Sequence, residues 1–304
     1  MSLTKSRQGF TLIELLVVIA IISILIALVT IAAGMMMQRS KSTRDLGNHR
    51  TFGMATFSHA TDHNGKLLHP VTEPFGQPDP HGPAIIERLW VAAYGDDVNG
   101  QDRLRNVGGE YVELQNALKE GAAYQYIGDV MAYQSPLDPT IGDVTQFVPS
   151  NNNLTTDRIR SYALNAFVGV EWGADDWTEY RDNYPLNLLA NGYWRSTETL
   201  AQIPQPAGTM CSIGEEDSYG RNGHGWLISP TTRRWQDFPA FWDNRRVNIS
   251  YVDGSTGAIM LESDELEKRW RQYGHNDDNP NSCEAEYKAF RRILLPGIIG
   301  SVLD

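Results

Sequence analysis

The chain has 304 residues, of which 41% are hydrophobic, 21% charged and 10% aromatic. That is enough apolar material for one large domain or two modest ones, and it excludes a disordered tail, a collagen or a small disulfide scaffold. Lys and Arg number 26 against 37 Asp and Glu, and the resulting net charge of −11 has the wrong sign for gripping a phosphate backbone, so nucleic acid is not expected as a partner.

Strong apolarity is concentrated near the N-terminus. Between Leu15 and Val29 the only polar residue is Ser23, and Met35, Met36 and Met37 extend the apolar character. A run of about 20 apolar residues is what a helix needs to cross a hydrocarbon core of about 30 Å. No proline interrupts it, and its first glycine is Gly34. Three assignments compete: a secretory signal, a plain anchor, and the leader and helix of a prepilin. A secretory signal has an apolar core of about 7–15 residues and a small-x-small cleavage site. This run is longer, and Thr30-Ile31-Ala32 is only a passable site. A plain anchor would avoid Glu14, because a carboxylate in hydrocarbon is costly unless something neutralises it. Glu14 therefore discriminates.

Lys5, Arg7 and Gly9, followed by Phe10-Thr11-Leu12-Ile13-Glu14, resemble the type IV prepilin signature. The resemblance implies that prepilin peptidase cuts between Gly9 and Phe10 and methylates the new amine of Phe10. It also implies assembly with other pilin or pseudopilin subunits on an inner-membrane platform, with Glu14 meeting a neighbour's N-terminus and setting the register. The physics is coherent: a freed amine on Phe10 is a cation one helical turn from Glu14, within range of an i,i+4 or intersubunit ion pair. Lys5 and Arg7 precede the helix while Arg39, Lys41 and Arg44 follow it, so charge counting alone does not orient the segment. The resemblance supplies the orientation: a single pass through the bacterial inner membrane, in contact with its lipid, and a head in the periplasm or on the cell surface. Loss of the leader moves the net charge from −11 to −13.

The expected organisation is a leader over 1–9, a transmembrane and assembly helix over 10–37, an amphipathic continuation over 38–65 and a globular head over 66–304. In the continuation, Leu46, Gly53, Met54, Phe57 and Ala60 share one face. Gly47 and Gly53 each cost a helix about 1 kcal/mol, which tertiary packing must offset. Asp62-His63-Asn64-Gly65 is a stop signal. A helix from about residue 11 to about residue 61 would be about 75 Å long at about 1.5 Å per residue.

Further along, five prolines in 70–83 predict an extended loop, and residues 89–93 and 114–123 read as short helices. Residues 246–252 alternate as a half-buried strand, Asp253-Gly254 is a turn and 256–261 a return strand. A charged helix over 264–273, a loop over 274–282 and an amphipathic helix over 283–295 with Tyr287, Phe290 and Leu294 on one face complete the head. The fold class is α+β, a long N-terminal α-helix packed on a head with an antiparallel β-sheet.

The head resembles a bacterial subfamily of pseudopilin-like proteins. Residues 51–70 look like its helix end and first loop, Ser135-Pro136-Leu137-Asp138 stands where it often has Cys-Pro-Ser-Asp, and Ser161-Tyr162-Ala163-Leu164-Asn165 looks like its Ser-Tyr-x-x-Asn strand. Residues 248–254 resemble the end of its motif of a histidine, nine residues and Asp-Gly. Asp243 takes the histidine position and Ser135 the cysteine position, which argues against metal or disulfide chemistry there.

Several groups are candidates for chemistry. His59 and His63 have i,i+4 zinc-ligand spacing but lack the glutamate of a zinc-protease helix. Asp277 and Asp278, within Asn276-Asp277-Asp278-Asn279, and the run Glu215-Glu216-Asp217 are oxygen-rich calcium candidates without EF-hand spacing. Seven of the eight tryptophans lie in the second half (Trp172, Trp177, Trp194, Trp226, Trp235, Trp242, Trp270), as core or as a recognition surface. Cys211 and Cys283, outside the cytoplasm, are a candidate disulfide. No nucleophile elbow, phosphate-binding loop, dinucleotide fingerprint or Cys-x-x-Cys occurs. The expected protein is a structural pilin- or pseudopilin-like subunit, not an enzyme and without a required cofactor. The alternative is a membrane-tethered module that binds glycan or protein through its tryptophan-rich head.

Overall fold

A computed structural model of the chain describes residues 11–72, 87–93, 104–107, 110–141, 158–170, 197–216, 223, 225–228, 234–274 and 283–295. Helix α1 runs from Leu12 to Asp62, 51 residues, through Gly34, Gly47 and Gly53. It stops where the turn residues predict: Asn64 and Gly65 take φ values of 53° and 85°, and the Gly65 amide donates to the Ala60 carbonyl. Residues up to Lys41 and residues from Ser42 form two compact units.

In the first unit the large side chains of the apolar run, from Leu12 to Met37, are exposed. Its two hydroxyls are satisfied within the helix. Ser23 donates to the Ile19 carbonyl at 2.7 Å and Thr30 to the Ile26 carbonyl at 2.8 Å. A helix that turns its hydroxyls back onto its own backbone needs no water along this stretch.

The second unit is built on an antiparallel sheet. Strands β3 (Tyr162–Leu164), β4 (Met210–Glu216), β6 (Arg246–Tyr251) and β7 (Thr256–Met260) lie in the order β3-β4-β6-β7, and β5 (Phe238–Pro239) pairs with the end of β4. The expected hairpin is β6–β7, with Arg246 opposite Met260 and Ser250 opposite Thr256. Gly254 in its turn has φ +83°, and the Ser255 amide and hydroxyl both donate to the Asp253 carboxylate. A separate ribbon pairs β1 (Leu104–Val107) with β2 (Glu110–Glu113). Short helices α2 (Gln115–Glu120) and α3 (Tyr124–Ile127) follow, and helices α4 (Glu265–Tyr273) and α5 (Glu284–Leu294) close the described part of the chain.

The sheet separates two cores. On one face Ile213, Val247 and Ile249 pack with Trp226, Trp235, Leu266, Trp270, Tyr287, Phe290 and Leu294, so α4 and α5 cover this side. On the other, Tyr162, Leu164 and Cys211 pack with Phe52 of α1, Trp90 and Tyr133. Register shifts between Met210 and Ser212. The irregularity turns both Cys211 and Ser212 toward α1 while Met210 and Ile213 stay on the α4–α5 side.

Two expectations are corrected. Residues 89–93 are not helical: Leu89 bridges His69 in parallel, the Trp90 amide donates to the His69 carbonyl, and the segment is buried extended chain. A short apolar run has no period with which to tell the two apart. The buried face of α1 is also not the one apolarity marks. Gly53 and Ala60 are buried, but Met54 is 44% and Phe57 41% exposed, and Ser42, Asp45, His49, Thr56 and His59 face the head instead. Most of the loop expected over 70–83 and nearly all of the one over 274–282 lie outside the described residues.

Candidate functional site

The chemistry at the N-terminal end is carried by Thr11 and Glu14. The Thr11 amide and hydroxyl both donate to Glu14 Oε2 at 2.8 Å, and the Glu14 amide donates back to Thr11 Oγ1 at 3.2 Å. This is a capping box: the carboxylate satisfies donors that a helix start leaves open, and negative charge there complements the helix dipole. It holds the one acid of the apolar run at the helix tip, with Oε2 engaged by Thr11. Gly9, Phe10, Lys5 and Arg7 lie outside the described residues.

Residues 4–30 match the prokaryotic N-terminal methylation motif. The N-terminus is a prepilin-type signature. It joins the leader residues, the capped acid and the apolar run into one unit, and it removes the ordinary secretory signal as the simplest account of the segment. α1 is the one helix among the described residues long and apolar enough to cross a membrane. No curated protein sequence and no solved structure matched the chain.

In the head, Ser135, Tyr162 and Asn248 from the sequence resemblance converge on α1. Asp45 is 4% exposed. Its Oδ1 accepts from the Ser135 hydroxyl and, at 2.7 Å, from the Tyr162 hydroxyl, while its Oδ2 accepts from Asn248 Nδ2 at 2.8 Å. Asn48, one residue short of a turn further along, donates to the Gln134 carbonyl at 2.9 Å. Burial, then the neighbouring Asp45 charge, holds the Tyr162 phenol well above its ordinary range, so Tyr162 remains a donor. One carboxylate thus ties together the helix, the 135–138 turn, β3 and β6.

The rest of the resemblance has the same structural character. Ser161 donates to Asp138 at 2.7 Å and accepts from the Ser135 amide, and Asp138 also accepts from the Thr140 amide and hydroxyl. Asn165 donates to the Met210 and Leu294 carbonyls and accepts from the Phe167 amide. Gly254 sits against α1 at Gly53, where a Cβ would fall 2.9 Å from the Gly254 Cα and 3.0 Å from the Tyr251 carbonyl oxygen. Asp243 lines a small cavity with Asp45, His49, Trp242, Arg246 and Asn248.

His49 is fully buried, with Nδ1 2.8 Å from the Ser212 hydroxyl, which lies 2.6 Å from that of Ser250. Burial lowers its pKa, partly offset by Asp45, and keeps the imidazole neutral. His59 and His63 stack at 4.0 Å instead of converging on an ion; His59 Nδ1 bonds the Lys66 carbonyl and His63 Nδ1 the His59 carbonyl. Burial pushes His59 down to about 4. No group of three or more His, Cys, Asp or Glu among the described residues is arranged to hold a metal.

Glu215 and Glu216 are not an acidic loop but buried residues of β4. Burial raises the Glu216 carboxyl to about 7, opposed by the charge of Arg158. Asp217, Asp277 and Asp278 lie outside the described residues. Cys211 and Cys283 form no disulfide. Cys211 lies 3.3 Å from Thr56 Oγ1 on the α1 side, whereas Cys283 packs on the core of the opposite side. Trp226 and Trp235 are fully buried and Trp270 is 3% exposed, so these three are core residues. Trp172, Trp177 and Trp194 lie outside the described residues.

Sequence reasoning missed Asp45. It is the only acid between residues 38 and 61, but it lies on a polar stretch of the helix and breaks no local pattern.

Proposed function

We propose that the chain is a structural subunit of a type IV pilus or type II secretion pseudopilus. Prepilin peptidase cuts between Gly9 and Phe10 and methylates Phe10. The subunit waits in the bacterial inner membrane with its head in the periplasm and enters a filament with other pilin-like subunits through residues 10–37. Glu14 sets the register by pairing with the new N-terminal amine of a neighbour, and the work done is mechanical. The observation that carries this reading is the methylation motif over residues 4–30, continuous with an apolar, exposed helix that holds a single capped acid.

An apolar run with a carboxylate at its tip is stable in lipid only when the charge is met by a cation or a proton. Cleavage creates that cation, so processing and assembly are coupled by one ion pair. Calcium at Asp277 and Asp278 is a separate, weaker proposal. Mass spectrometry of the mature chain tests the main reading: the expected N-terminal peptide begins with N-methylated Phe10. Retention of the first nine residues, or a start after Ala32, would falsify it.

A further inference from the structure

The part of α1 that belongs to the head has an outer, largely exposed surface, with Met54 at its margin against Gly254. Thr43, Arg44, Gly47, Arg50, Met54, Phe57 and Thr61 are exposed there. Arg44 and Arg50 engage no other side chain among the described residues. Asp45, the only acid between residues 38 and 61, is buried and bonded. On a chain of net charge −11, this surface is basic at its start and apolar at Met54 and Phe57. Across the sheet, on the α4 side, residues 262–265 are continuously exposed and include Glu262, Asp264 and Glu265. Met260 beside them is 62% exposed. Arg245 approaches Asp264 at 3.7 Å in a well-exposed pair, which neutralises little of this charge.

We infer that the Arg44–Arg50 surface of one copy docks on the Met260–Glu265 edge of a second copy. The α1 surface carries arginines and the 262–265 stretch is predominantly acidic, and such opposite charge is how interfaces gain register and speed of encounter. Because the two surfaces are different, the contact is heterologous. Each copy keeps one surface free for the next, so the contact propagates as an open helix and does not close a dimer. The inference rests on the assembly reading above and adds to it a contact between heads. Anionic lipid headgroups are the competing occupant for the arginines.

The test is charge reversal in full-length chains assembled in membranes, with sheared or cross-linked polymer as the readout. Arg44→Glu with Arg50→Glu, and separately Glu262→Lys with Asp264→Lys and Glu265→Lys, are each expected to lower polymer yield by about tenfold. Combining all five should restore it to within about threefold of the wild type. The side chains changed are exposed, and the near-ultraviolet dichroism of each variant reports whether the head is folded. A pair of neutralising changes, Arg44→Gln and Arg50→Gln, should give a smaller loss. Undiminished polymer in either reversed set, or failure of the combination to recover, overturns the docking. A loss in the arginine set that follows the anionic lipid content and ignores the acidic set assigns the arginines to lipid and also overturns it. If wild-type chains are methylated at Phe10 and polymerise while the swap fails, only the docking falls. If they keep their leader and form no polymer, both readings fall.

Discussion

Glu14 in the first part of α1 and Asp45 in the second are treated in opposite ways. Asp45 is matched inside the chain by Ser135, Tyr162 and Asn248. Among the described residues Glu14 receives bonds only from Thr11, its own helix start, and stands amid side chains that are themselves exposed. A buried charge needs partners wherever it lies. Where the chain supplies them, the carboxylate fastens a fold; where it does not, the missing partner belongs to another molecule. On the proposed reading, the difference separates a residue that makes the head from one that makes the filament.

The sharpest way to break this distinction is to delete each acid. Glu14→Ala is expected to abolish polymer while leaving the thermal midpoint of the head unchanged. Asp45→Ala should destabilise the head by about 3 kcal/mol, because it strands two hydroxyls and an amide in the interior. Urea unfolding followed by near-ultraviolet dichroism, beside a polymer assay, checks both. A Glu14 variant with a weakened head would mean that the two acids do not divide the work.

The glycines sharpen the comparison within the head's share of the helix. At Gly53 a Cβ would meet the Gly254 Cα at 2.9 Å and the Tyr251 carbonyl at 3.0 Å, both backbone atoms that cannot swing away. Gly53→Ala should therefore destabilise by about 2 kcal/mol, the overpacking outweighing the gain in helix propensity. At Gly47 an added methyl would find nothing within 4 Å, so Gly47→Ala should stabilise by about 1 kcal/mol. Opposite signs at two glycines less than two helical turns apart, read as urea midpoints, locate the side of α1 that the hairpin touches.

Much of the architecture was legible where periodicity or turn chemistry was strong. The helix end at Asn64-Gly65, the β6–β7 hairpin and the buried Tyr287, Phe290 and Leu294 of α5 follow directly from residue type and spacing. The α1 face was not legible, because apolar periodicity scores only oily residues, and Asp45, His49 and Thr56 are buried through long-range partners. Asp45 and Tyr162 are 117 positions apart, and Asp45 and Asn248 are 203 apart. Such pairings are properties of the fold and have no local signal. The same holds for Cys211 and Cys283, a pair that number alone would allow to bond but that lie against the two different cores. In the candidate site, Glu14 stood out because it breaks a local pattern, whereas Asp45 lies among polar residues and breaks none.

The smallest expected effect concerns pH, and it tests whether the head's buried groups act apart from the filament acid. An unfolded histidine titrates near 6.5, but His59 in the head is held down to about 4. Between those values the unfolded chain takes a proton that the folded head refuses, so this group makes stability fall as pH drops from about 6.5 to about 4. Buried His49 acts in the same direction. Glu216 acts in the other: raised from 4.5 to about 7, it keeps a proton in the head that the unfolded chain releases, and stability falls as pH rises through that window. Between about pH 4.5 and 6.5 Glu216 offsets only part of the two histidines' effect, and the wild-type urea midpoint should rise modestly with pH there. Glu216→Gln removes the opposing group, so its midpoint should climb more steeply than the wild type from about pH 5 toward about pH 7, while His59→Asn should flatten the profile over the same range. Glu14→Ala should leave the profile untouched, because Glu14 belongs to the other compact unit and bonds no residue of the head among the described residues.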